Sequence, residues 1–328
     1  MDRAVTRPNA RLAPAAWAGL AVATTVLAAL AAGALRYSAL SAIVGTGVTR
    51  VGTDVAGIAC VGLALLGVLL PASARVTDAG ELDRVRALVD RALVGFGGAW
   101  LVLALLGVAF RAADGYGRPV TTLTGADVLS WATALAAGRG ALLTVGCAAA
   151  VLGCAVVRLN DPEVVALRIV LVIGLLGMIT PGVTGHASSS ASHEVAVTTI
   201  ALHVAAASLW VGGLAAILVV LSRRRELLQL ALPRFSTLAG LCLFTVTVSG
   251  VLTAQVRLGS WAALFFTGYG ALVIAKAVAL VGLGGLGLLT RRRMAAGRLP
   301  VLRWAGVEVA LMAVTLGLAA ALSQSAPS

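Results

Sequence analysis

The chain has 328 residues, of which 60% are hydrophobic and only 12% charged, with a mean hydropathy of +1.01. A water-soluble domain is excluded, because so apolar a chain has too little polar material to cover its surface. Lysine and arginine number 25 against 13 acidic residues, a net charge of +12. These basic residues lie between apolar runs, without the aromatic interleaving that single-stranded nucleic acid requires, so the excess reads as membrane topology and not as a nucleic-acid footprint.

About twenty consecutive apolar residues cross a bilayer core as a helix, and inside it every backbone group must be satisfied within the chain. The first such run, 12–35, follows the basic segment 1–11 in the manner of a signal peptide. It is too long for a cleaved apolar region and reads as a retained first span. Further runs at 55–74, 92–110, 140–157 and 169–185 are followed by four more at 195–222, 235–256, 264–290 and 304–322. The expectation is an all-α polytopic bundle of about nine spans. Eight or ten are the alternatives, because 126–137 has the pattern of a half-helix or interfacial helix before Gly138. With nine spans, Arg36, Arg50, Arg111, Arg118, Arg139 and Arg257 fall on one side and the other eighteen arginines on the opposite side. The positive-inside rule then puts the amino terminus in the cytoplasm and the carboxyl terminus outside.

The loop between the fifth and sixth runs carries no lysine or arginine and, in that topology, faces outward. All three histidines cluster there: His186 at the mouth of the fifth span, His193 beside Glu194 at the start of the sixth, and His203 inside the sixth. At 1.5 Å per residue His203 lies roughly 12–15 Å below the outer surface. An ionisable group at that depth faces protein, water or a ligand. Imidazole suits copper, zinc, iron and nickel. Met178, near the outer end of the fifth span, offers a thioether that favours Cu(I), and is equally readable as an ordinary core or lipid-facing methionine. Glu194 reads as a ligand, as a partner for a ring N–H or as a solvated charge.

Elsewhere in the spans Lys276 and Glu308 are placed to form a structural or gating ion pair, and Asp54 and Asp127 sit at interfaces. Cys60, Cys147, Cys154 and Cys242 all fall in apolar runs without a CxxC pair, so they mark neither a disulfide framework nor a zinc site. No phosphate-binding GxxxxGK[ST] loop and no GxSxG or HExxH hydrolytic signature occurs, so the residues point to no enzymatic activity.

The segment 181–328 resembles the membrane domain of the copper-resistance D (CopD) family. The resemblance is carried by Gly185-His186-Ala187, by His203 followed by Ala206 through Leu214 with its Trp210-Val211-Gly212-Gly213 core, and by Arg234-Phe235-Ser236. Ser249-Gly250, Lys276, Arg303 and Glu308 complete it. It implies a four-span copper domain at 181–328 behind an amino-terminal membrane segment of about five spans at 1–180. It further implies a multi-pass protein of the bacterial inner membrane that handles copper as Cu(I), alongside a periplasmic copper chaperone, with His186, His193 and His203 as ligands. Uptake is the leading role under that resemblance; delivery of copper to a partner such as an oxidase, without ion flux, is the alternative. A heme-linked redox protein is a third, disfavoured because a single intrahelical histidine cannot supply bis-imidazole ligation.

Overall fold

The computed structural model describes residues 40–70, 78–184, 193–258 and 268–295, and among them every regular element is helical. The helices are α1 (Leu40–Leu69), α2 (Ala79–Tyr116), α3 (Gly125–Ala134), α4 (Ala136–Asn160), α5 (Leu167–Val183), α6 (His193–Leu221), α7 (Arg225–Leu258) and α8 (Gly268–Ala295). A 3-10 turn, Val120–Thr122, links α2 to α3. By length and hydropathy, α1, α2, α4, α6 and α7 can each cross a membrane, and α5 is a shorter apolar helix of 17 residues. At about 25 Å it sits at the lower limit for crossing the hydrocarbon core. The predicted first and ninth spans lie outside the described residues.

Local chemistry explains where the helices start and stop. Asp78 caps α2 by accepting the Glu81 N–H at 3.0 Å, and Gly117, at φ 60°, closes it in the left-handed conformation that only glycine adopts cheaply. Thr124 and Asp127 form a reciprocal capping box at the head of α3. α3 is the short helix expected near 126–137, and it ends at Leu135, one residue before α4 begins.

Several helices outrun the spans predicted from hydropathy. α1 starts fifteen residues before position 55, and it carries Arg50 and Asp54 as an i,i+4 ion pair at 3.2 Å. α2 begins at Ala79 rather than 92, so Arg84, Arg86 and Arg91 are helical. Its 38 residues span about 57 Å, well beyond a hydrocarbon core of about 30 Å. α7 runs straight through Pro233. The physical reason is common to all three: hydropathy marks where a helix is dissolved in lipid, whereas backbone hydrogen bonding continues into water.

α1 is the centre of the bundle, with 67% of its apolar stretch buried against 22% for α7. Its Val61, Ala64 and Leu66 are fully buried among Leu93 and Trp100 of α2, Val151 of α4 and Ile217 of α6. Facing outward instead, Leu241, Phe244 and Val251 of α7 and Val172 of α5 are more than half exposed. Such an apolar exterior is what a lipid-bathed helix presents.

α1 and α6 approach backbone to backbone. A Cβ added at Gly62 would stand 2.1 Å from the Gly212 carbonyl oxygen, and one added at Gly212 would stand 2.3 Å from that of Ile58. The Leu69 end of the bundle is tied by polar contacts. Arg234 donates from Nη1 to the Leu69 carbonyl at 3.1 Å, and Arg224 pairs with Glu81 at 3.7 Å. Arg158 makes a buried two-point pair with Asp90, Nε to Oδ1 at 2.7 Å and Nη2 to Oδ2 at 3.2 Å. The same guanidinium donates to the carbonyls of Pro162, at 2.7 Å, and Val165, fastening the α4–α5 turn.

Candidate metal centre

His203 lies ten residues into α6, half-buried, nearer the end where α5 terminates than the arginine-tied end. Its Nδ1 is 2.9 Å from Oγ of Ser249 on α7. Ser249 is 4% exposed, and its hydroxyl donates to the Thr245 carbonyl at 2.5 Å, with a longer approach to Val246 at 3.3 Å. The residues of α7 buried toward the bundle are Phe235, Cys242, Val246 and Ser249. Their spacing of seven, four and three keeps them on one helix face. Cys242 therefore follows Ser249 along the face that meets α6, two turns or about 10 Å nearer the arginine-tied end. Beyond it, Phe235 fills the notch at Gly213, where a Cβ would stand 2.5 Å from Cε2 of the ring.

Met178 is 9% exposed and turns toward α1 and α2. A Cβ at Gly57 would stand 2.3 Å from its Sδ and 3.0 Å from Cε2 of Trp100, which puts sulfur and ring in mutual reach. Trp100 is wholly buried, and its indole N–H has no acceptor among the described residues. His193 and Glu194 open α6, and Lys276 lies in the third turn of α8; all three are placed by their backbone. His186 and Glu308 lie outside the described residues. Among the described residues no group of three or more His, Cys, Asp and Glu converges on one point.

Two acidic residues at interfaces have structural partners. Asp54 pairs with Arg50 in its own helix. Asp127 accepts the Thr124 N–H at 2.9 Å and its hydroxyl at 2.8 Å, which holds its carboxyl below the usual carboxylate range, with Arg118 assisting. The sequence reading passed over the Asp90–Arg158 pair and the tie between His203 and Ser249. Ser249-Gly250 carries part of the family resemblance, and that was the one signal pointing to the serine.

Comparison with known proteins bears on what this arrangement serves. The sequence profile described as "Copper resistance protein D-like, N-terminal domain" matches residues 41–194, and that described as "Copper resistance protein D" matches 229–322. The first match carries the likeness well into the amino-terminal part of the chain, beyond the stretch 181–328. A relative, the "Copper transport protein CutJ" of Bacillus subtilis (strain 168), is 32% identical over 142 residues, covering 40% of this chain and 26% of that protein. The match thus spans about a quarter of the length of the relative. No solved structure matches. An apolar multi-helix bundle and two adjoining profiles of one family converge, and the chain is a membrane protein of the copper resistance protein D family.

Proposed function

We propose that the chain is a copper permease of a bacterial cytoplasmic membrane, with nine spans, a cytoplasmic amino terminus and an external carboxyl terminus. Its four-span copper domain begins near residue 181. Cu(I), received from a periplasmic chaperone, is captured at the outer mouth by His186 and His193, assisted by Met178 or Glu194, and passes to His203. Cys242 is the next soft donor along the seam between α6 and α7. The observation that carries this reading is the position of His203: an imidazole held inside the bundle by Ser249, with a buried thiol two turns further along the same α7 face. Sites of similar affinity spaced along one seam let an ion move without a deep trap. The name of the relative from Bacillus subtilis supports a transport role. Lys276 and Glu308 act in this scheme as a structural or gating pair outside the copper path.

A second reading draws on the packing of Phe235 into Gly213, which fills the seam beyond Cys242. If that plug is permanent, copper leaves by the mouth it entered and the protein delivers copper to an external partner such as an oxidase. One experiment tests both. The purified protein is compared with the triple variant His186→Ala/His193→Ala/His203→Ala for Cu(I) content and affinity, and both are then reconstituted into liposomes. Copper bound by the wild type and lost by the variant is the expected result. Flux into liposomes selects the permease, and binding without flux selects delivery. Equal copper in both proteins refutes the site.

A further inference from the structure

We infer that Ser249 fixes the tautomer of His203, holding the proton on Nδ1 and presenting Nε2 as the nitrogen that binds the metal. The inference deepens the proposed copper site and rests on that reading only for its last step, the metal.

The argument is an accounting of hydrogens. A serine hydroxyl carries one proton and two acceptor lone pairs. The Ser249 oxygen lies 2.5 Å from the Thr245 carbonyl oxygen and 3.3 Å from that of Val246. Carbonyl oxygens only accept, so the single proton of Ser249 is committed to α7's own backbone, the closer contact taking it. The 2.9 Å contact between Ser249 Oγ and His203 Nδ1 then needs its hydrogen from the imidazole. Nδ1–H donates to Ser249 Oγ, Ser249 O–H donates to Thr245 C=O, and in the neutral ring the lone pair is on Nε2. Ser249 is 4% exposed, so bulk water competes poorly for either lone pair of its oxygen. A hydrogen bond at one ring nitrogen sets which of the two is available to a metal, and it holds the ring plane against rotation. A donor chain of this polarity also makes the remote nitrogen a better electron donor. Ser249 is thus a positioning residue: it touches the ligand, and the ion meets only the imidazole.

The geometry also explains why this serine sits beside Gly250. A Cβ at Gly250 would stand 3.8 Å from His203 Cε1, in ordinary contact, so the α7 backbone lies against the ring edge that joins the two nitrogens.

The test is nitrogen NMR of the full chain, labelled with 15N-histidine and held in lipid nanodiscs, first metal-free and then with Cu(I) added. The His203 signals are identified by their loss in His203→Ala. The expected metal-free spectrum shows Nδ1 protonated and Nε2 unprotonated, and Cu(I) displaces the Nε2 signal. Ser249→Ala is expected to give a mixture of tautomers and a Cu(I) affinity weaker by roughly 10- to 100-fold, the usual effect of losing a partner behind a metal-binding histidine. Ser249→Thr, which keeps a hydroxyl able to bond the same carbonyl, is expected to restore both. A protonated Nε2 in the metal-free wild type overturns the inference, as does a tautomer unchanged in Ser249→Ala. If the wild-type tautomer is as stated but His203→Ala binds Cu(I) like the wild type, the role of Ser249 stands and the copper site falls.

Discussion

Asp90→Ala removes the carboxylate that receives two N–H groups of Arg158 and leaves the guanidinium where it was. The side chains are 3% and 6% exposed, and the arginine is further held by the Pro162 and Val165 carbonyls, so it cannot simply swing into water. Breaking a buried pair from one side strands an uncompensated charge at a cost of about 3–5 kcal/mol, whereas an exposed pair is worth at most about 1 kcal/mol. Asp90→Ala should fall in the upper range, and Asp90→Asn should cost less because one acceptor oxygen remains. The double variant Asp90→Ala/Arg158→Met removes the stranded charge with its partner and should be more stable than Asp90→Ala alone, even though two turn carbonyls lose their donor. Equilibrium unfolding in mixed detergent micelles, followed by tryptophan fluorescence, measures all three. A loss below about 1 kcal/mol in Asp90→Ala, or a double variant no better than the single one, refutes the reasoning.

The remaining predictions concern packing and pH. Gly62→Ala and Gly212→Ala each drive a methyl group into a facing carbonyl oxygen, at 2.1 and 2.3 Å, where no flexible side chain can yield. Each should lower the yield of monodisperse protein on size exclusion, while Gly146→Ala, which meets open space, should not. Asp127 has a carboxyl held below its usual range by Thr124. Its contribution is therefore fully present above the unfolded carboxylate pKa of about 4 and is lost as pH falls through the lower folded value. Amide exchange in α3 should be steady from neutral pH down to about 4 and rise below that once corrected for intrinsic rates, and Thr124→Ala should speed exchange at neutral pH and flatten this response; an unchanged profile in Thr124→Ala would sink the assignment.

What could be read from the sequence followed how local the cause was. The apolar runs at 140–157 and 169–185 overlap α4 and α5 closely because lipid solubility and helix extent coincide there. They separate in α1 and α2. Arg50 and Asp54 neutralise each other one turn apart, and Arg84, Arg86 and Arg91 continue a helix past the bilayer, so charge does not signal a break in hydrogen bonding. Pro233 reads as a boundary and is absorbed within α7. The clustering of histidines was visible in the chain as written. The partner of His203 was not: Ser249 is 46 residues away, and Asp90 and Arg158 are 68 apart. Such pairings depend on the register of helices against one another, which no local pattern encodes.

The glycine contact between α1 and α6 has a bearing on where an ion could travel. On α6, Gly212 lies nine residues beyond His203, and at about 100° per residue the two project from opposite sides of the helix. The side of Gly212 is pressed against a neighbouring peptide backbone, leaving no corridor even for a dehydrated cation. One helix thereby serves as wall and as wharf. Its α1 side is mortared shut, and any cargo that berths must do so along the opposite flank, between α6 and the sparsely buried α7.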